Sequence, residues 1–177
     1  PAKDAVPPAI NFVIVYEDFA TGIHAKHFAE MLAATSGADC GAMPLWRSEI
    51  LEMPEFADDV ARQAAESDYV ILALRGDIHI SFGVKNWIEA WLALAVAGPS
   101  CLVALLHSPR TSTSSAARYY LRNVTAAAGI DFFAHSTVAS GEEPILDLPI
   151  LEEAIVKPLP PRAASRRSEL RGILIAA

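Results

Sequence analysis

The chain has 177 residues and a mass of 19.0 kDa; 53% of the residues are hydrophobic and 20% charged, and the mean hydropathy is +0.30. This suits a single hydrophobic core and excludes a wholly disordered chain; a second full domain is not expected. The net charge of −7, from 14 basic and 21 acidic residues, repels nucleic acid and anionic membrane surfaces, so neither is an expected partner.

The first apolar run, NFVIVY at 11–16, is short and rich in β-branched and aromatic residues, which predicts a buried strand. Gly22 is expected to close the turn after it. Ile23, His27 or Phe28, Met31 and Leu32 then recur at helical spacing until Thr35-Ser36-Gly37. A second strand is expected within ADCGAMPLW at 38–46, a stretch interrupted by Gly41 and Pro44. Pro54 suits the first turn of a helix, where its missing amide hydrogen is not needed, and Phe56, Val60 and Ala64 give that helix one apolar stripe. YVILALR at 69–75 is apolar throughout, as a central strand covered on both faces would be. Val84, Trp87, Ile88, Trp91, Leu92 and Ala95 mark the next helix, which Gly98-Pro99 breaks. CLVALL at 101–106 is a fourth strand; Ala117, Tyr120, Leu121, Val124 and Ala128 face one side of a further helix; IDFFAHS at 130–136 is a fifth strand.

Strand and helix thus alternate at intervals that fit crossover units. They predict a three-layer α/β fold over residues 1–136, with a mostly parallel five-stranded sheet in the flavodoxin-like order 2-1-3-4-5. Residues 137–177 break the rhythm. ILEEAIV at 150–156 suits a short helix, PLPP at 158–161 an extended spacer, and residues 162–177 hold Arg162, Arg166, Arg167 and Arg171 against Glu169 alone. This extension is expected to pack on the domain or on a partner.

The apolar stretch from Ala90 to Leu106 is interrupted by Gly98, Pro99 and Ser100, and so falls short of the roughly 20 residues of a membrane span. The first residues lack the basic region and small-residue cleavage pattern of a signal peptide, so a cytoplasmic location is expected. Cys40 and Cys101 form no paired motif and are expected to be structural.

In a sheet of this order the ligand crevice opens beyond the carboxyl ends of the strands, where the order reverses between strands one and three. Strand one delivers Glu17, Asp18, Thr21, Gly22 and His24; strand three Arg75, Gly76, Asp77 and His79; strand four His107, Ser108 and Arg110. Loop solvation alone also calls for polar residues there. His24, His27 and Glu30 follow at intervals that permit metal ligation, but packing and surface roles suit them equally and no metal is assigned. Ser108 beside His107 lacks the GxSxG context of a nucleophile. The chain contains neither GxGxxG nor GxxxxGK[ST], which leaves Thr21-Gly22 to offer a hydroxyl and helix-terminal amides to a phosphate, with Glu17 and Asp18 opposing a dianion just upstream.

The stretch SDYVILALRGDIHISFGVKNWIEAW at 67–91 resembles the flavodoxin-like NAD(P)H-dependent FMN and quinone reductases. Asp68 matches the residue that leads into their third strand, and Val84, Lys85, Asn86, Ile88 and Glu89 follow their Leu-Lys-Asn-x-Ile-Asp. Leu74, Arg75, Gly76 and Asp77 stand where the family has Pro-Glu-Tyr-Asn, and Ser81 where it has a loop proline. The resemblance implies FMN beside the loop after strand three, electron transfer from NAD(P)H to a small acceptor such as a quinone, and a homodimer. Its phosphate would lie by residues 20–24 and its ring by 75–83. The implied cofactor-binding residues are Thr21, Gly22, His24, Arg75, Gly76, Asp77, His79, His107 and Ser108, with Arg75 compensating a reduced flavin or binding an anionic acceptor.

The alternative is a cofactor-free flavodoxin-like domain that binds another small ligand or a protein, its pocket filled by side chains such as Ile80 and Phe82. Trp87 and Trp91 share a helix face, and either both pack on the sheet or Trp91 contributes to a dimer seam. Glu17-Asp18 and Ser108 also resemble elements of response-regulator receiver domains, although Asp77 lies two residues past Arg75 and Ala134-His135-Ser136 lacks the lysine of that family.

Overall fold

The computed structural model describes residues 8–75, 79–95, 101–108 and 116–138. The expectations for 139–177, including the helix at 150–156 and the spacer at 158–161, lie outside the described residues, as do Gly76, Asp77 and Arg110.

The elements in order are β1 (Ala9–Ile10), β2 (Phe12–Tyr16), α1 (Phe19–Thr35), β3 (Asp39–Cys40), β4 (Leu45–Arg47), a 3₁₀ turn (Ser48–Glu52), α2 (Pro54–Glu66), β5 (Tyr69–Arg75), α3 (Phe82–Leu94), β6 (Cys101–Ser108), α4 (Ala116–Ala128) and β7 (Asp131–Val138). Five strands form one parallel sheet in the order β4-β2-β5-β6-β7. Renumbered along the chain this is 2-1-3-4-5, the order expected from the sequence.

The expected second strand is split. Its sheet-forming part is only Leu45–Arg47, while Asp39–Cys40 pairs with β1 in a separate two-stranded ladder. Between the two, the Asn11 carboxamide replaces a ladder bond: its Oδ1 accepts the Ala42 N–H at 2.9 Å. Asp68 has a matching structural role, since its Oδ2 accepts the Asn11 N–H at 2.8 Å and so ties the start of β2 to the start of β5.

Alternation along the strands sorts side chains to two faces. Val13, Val15, Val70, Leu72, Leu74, Leu102, Ala104 and Leu106 meet α2, α3 and α4 through Ala61, Ala64, Trp87, Ile88, Trp91, Ala117 and Leu121. Ile14, Ile71, Ala73, Val103 and Leu105 alternate with these and are buried on the other face, where α1 lies over β2 and β5 with Ala25, Phe28, Ala29 and Leu32. Trp87 and Trp91 are both fully buried, with ring centroids 6.0 Å apart. Trp91 therefore packs on the sheet and offers no surface for a dimer seam.

Three helix starts have local causes. Pro54 is the first residue of α2, and Ser81 caps α3 by accepting the Val84 N–H at 3.3 Å. The start of α1 departs from expectation: the helix begins at Phe19, so Gly22 lies in its first turn and does not end a preceding one. Asp18 causes the shift by capping the helix. A glycine is required at 22 because a Cβ there would stand 2.8 Å from Tyr16 Cδ2.

Candidate functional site

Because the five strands are parallel, the four helices α1 to α4 all begin at the carboxyl edge of the sheet. That edge gathers Glu17, Asp18, Thr21 and Gly22 after β2, Arg75 at the end of β5, and His107 near the end of β6.

At α1, Asp18 and Thr21 form a reciprocal capping box. Asp18 Oδ1 accepts the Thr21 N–H at 2.9 Å, and Thr21 Oγ1 accepts the Asp18 N–H at 3.0 Å. Arg75 Nε donates to the other Asp18 oxygen at 2.7 Å, and the Arg75 N–H donates to Glu17 Oε2 at 2.6 Å. The Thr21 amide, aided by the Thr21 hydroxyl and the Arg75 guanidinium, holds the Asp18 carboxyl below its usual range against a smaller opposing effect of burial. α3 starts in a similar way. Glu52, from the 3₁₀ turn, accepts the Gly83 N–H at 3.2 Å, and a side chain at 83 would displace that carboxylate.

A second cluster lies between α1 and the sheet. His24 Nδ1 and His107 Nε2 are 2.8 Å apart, with the rings edge to face. His107 Nδ1 is buried without a hydrogen bond of good geometry. Burial, then the nearby rings of His107, His135 and His27, pushes the His24 pKa down to about 4. Burial also lowers that of His107, partly offset by the backbone of Leu74 and the charge of Asp18, and lowers that of His135, where His107 and Arg118 add to the effect.

The structure thus brings Thr21, Gly22, Arg75, His24 and His107 to one edge. His79 is exposed there, and Ser108 ends β6 opposite Val138. His24 turns toward His107 and not toward His27 and Glu30, and Glu30 pairs with Lys26 at 2.6 Å. Among the described residues no group of three or more His, Cys, Asp or Glu side chains could hold a metal ion. Ile80 is buried, whereas Phe82 is 75% exposed and Phe19, at the start of α1, 80% exposed.

Sequence reasoning did not single out His135 or Glu52. His135 lies opposite Leu105 in the ladder, on the same face as His107 two residues further along β6, a placement that needs the register. Glu52 reaches α3 across 31 residues of sequence.

No protein-family model matches the chain, and no curated protein matches it. Among solved structures, rubredoxin oxygen:oxidoreductase from the anaerobe Desulfovibrio gigas matches at 14% identity with a TM-score of 0.49, covering 76% of this chain. The chain spans about a third of that protein's length (32%). A flavodoxin from the domain Archaea matches at 9% identity with a TM-score of 0.44, over 72% of this chain and 85% of that one. The fold assignment rests on strand order and helix placement. Among the described residues no helix is long and apolar enough to cross a membrane.

Proposed function

We propose that this flavodoxin-like domain works by recognition at its carboxyl edge and not by FMN redox chemistry. The observation that carries this reading is the Asp18–Thr21 capping box with Arg75 on Asp18. The resemblance at 67–91 would place the FMN phosphate at the start of α1, where helix amides attract anions. There the Thr21 amide already donates to a carboxylate, the Glu17 carboxylate stands alongside, and the Arg75 cation is paired. These residues do not fit a phosphate dianion, whose binding would require it to displace one carboxylate and approach another. The Glu52 carboxylate at the start of α3 acts in the same sense.

A second reading keeps the flavin but not its phosphate. Phe19 and Phe82, exposed at the starts of α1 and α3, favour stacking on a neutral aromatic ring.

Incubation of the purified full chain with FMN or riboflavin, followed by gel filtration and visible absorbance, tests both readings. No retained flavin is the expected result. Retention of FMN in preference to riboflavin would overturn the proposal and revive electron transfer from NAD(P)H to a quinone; equal retention of the two would favour the ring-only reading.

A further inference from the structure

The stretch SEILEMPEFADD at 48–59 carries five carboxylates and no basic side chain. It forms the 3₁₀ turn and the first half of α2, at the carboxyl edge. Met53 and Phe56 are 51% and 41% exposed within it, at helical spacing, and the bond from the Gly83 N–H to Glu52 brings the start of α3, with exposed Phe82, alongside. Bulky apolar side chains lie here among Glu49, Glu52, Glu55 and Asp59, all of them exposed. The flanking cations are already paired, Arg47 with Glu49 and Arg62 with Asp59. With Glu49 and Asp59 paired to those cations, Glu52, Glu55 and Asp58 leave the rim net negative, and an apolar patch in a net negative rim has the character of a docking surface more than of a solvated loop.

We infer that this patch docks a cationic amphipathic helix of a partner protein, its apolar face on Met53, Phe56 and Phe82 and its basic side chains toward the surrounding carboxylates. The inference rests on the recognition reading above and names the partner's chemistry. Charge decides among occupants from outside the chain. An isologous contact with a second copy would set one array of carboxylates against another, and an anionic membrane or nucleic acid would meet the same repulsion.

The test uses two fluorescein-labelled helical peptides with the same leucine face, one with lysine and one with glutamate on its polar face, titrated into the full chain and followed by anisotropy. The lysine peptide is expected to bind, more weakly as salt rises, and the glutamate peptide not to bind. Phe82→Ser combined with Met53→Ser is expected to weaken binding about tenfold or more, while Leu94→Ser, on the exposed Leu94 at the far end of α3, leaves it unchanged. Equal binding of both peptides, no binding of either, or no effect of the Phe82 and Met53 changes would overturn the inference. So would a sedimenting dimer that the same double variant dissociates, since a second copy would then cover the patch. Flavin retention is a separate readout and bears on the recognition reading alone.

Discussion

His24 Nδ1 and His107 Nε2 stand 2.8 Å apart although 83 residues separate them along the chain, so α1 and β6 meet through two imidazoles that share one hydrogen. Protonation of both rings would place two cations in contact, with an N–H of each facing the other. His135 lies on the same sheet face, Arg75 and Arg118 add positive charge nearby, and Asp18 is the carboxylate that offsets it.

Stability should therefore fall with acid. The folded chain holds His24 at a pKa of about 4, against 6.5 for a free imidazole. Between those values the unfolded chain binds the proton and the folded chain does not, so folding is favoured above 6.5 and that contribution is lost as pH falls toward 4. His107 and His135 shift in the same direction. Urea unfolding at a series of pH values should show this slope, and His24→Gln should flatten it. A slope unchanged by the substitution would show that the pair does not govern the acid response.

Asp18→Ala should cost about 1 kcal/mol, as loss of a helix cap does, and should also free Arg75 and the Thr21 amide. Inorganic phosphate is then expected to raise the melting temperature of the variant but not of the parent chain. Equal effects of phosphate on both would mean that Asp18 does not block the position.

Gly22→Ala should destabilise by about 1–3 kcal/mol, because the new methyl group would press into the Tyr16 ring at 2.8 Å. The cost should shrink when Tyr16 is also changed to alanine. A double-mutant cycle by chemical denaturation gives the coupling directly.

The two thiols should differ sharply in reactivity. Cys40 is exposed, whereas Cys101 is buried, and its burial, with a smaller effect from Asp131, pushes its thiol up to about 12. A thiol reagent should label one group per chain quickly and the second only as fast as the protein opens.

The strands legible in the sequence were those whose residues settle the matter locally. YVILALR needed only its uninterrupted apolar side chains, and β5 spans the same seven residues. Pro54 likewise marked the start of α2 by its own chemistry. Gly22 was misleading because its role is set by the Tyr16 ring beneath the helix, and glycine in a close contact looks like glycine in a turn. The brief β4 was blurred because Gly41 and Pro44 precede it and the Asn11 side chain takes over one of its neighbouring bonds. At the site, topology brought strand ends together as expected, but the pairing of His24 with His107 depends on how α1 lies over β2 and β5, which carries His24 to the end of β6. The capping box has a component visible in the sequence, Asp18 three residues before Thr21, that apolar spacing alone does not register.

The sheet's two outer strands are unequal: β4 pairs through three residues with β2, and β7 through eight with β6, while β5 lies between two full ladders. Amides along β4 should thus exchange with solvent through brief local opening, and those of β5 only when the whole domain unfolds. The Glu52–Gly83 bond then acts as a rivet, holding the segment after the weakest strand to a helix anchored in the core by Trp87 and Trp91.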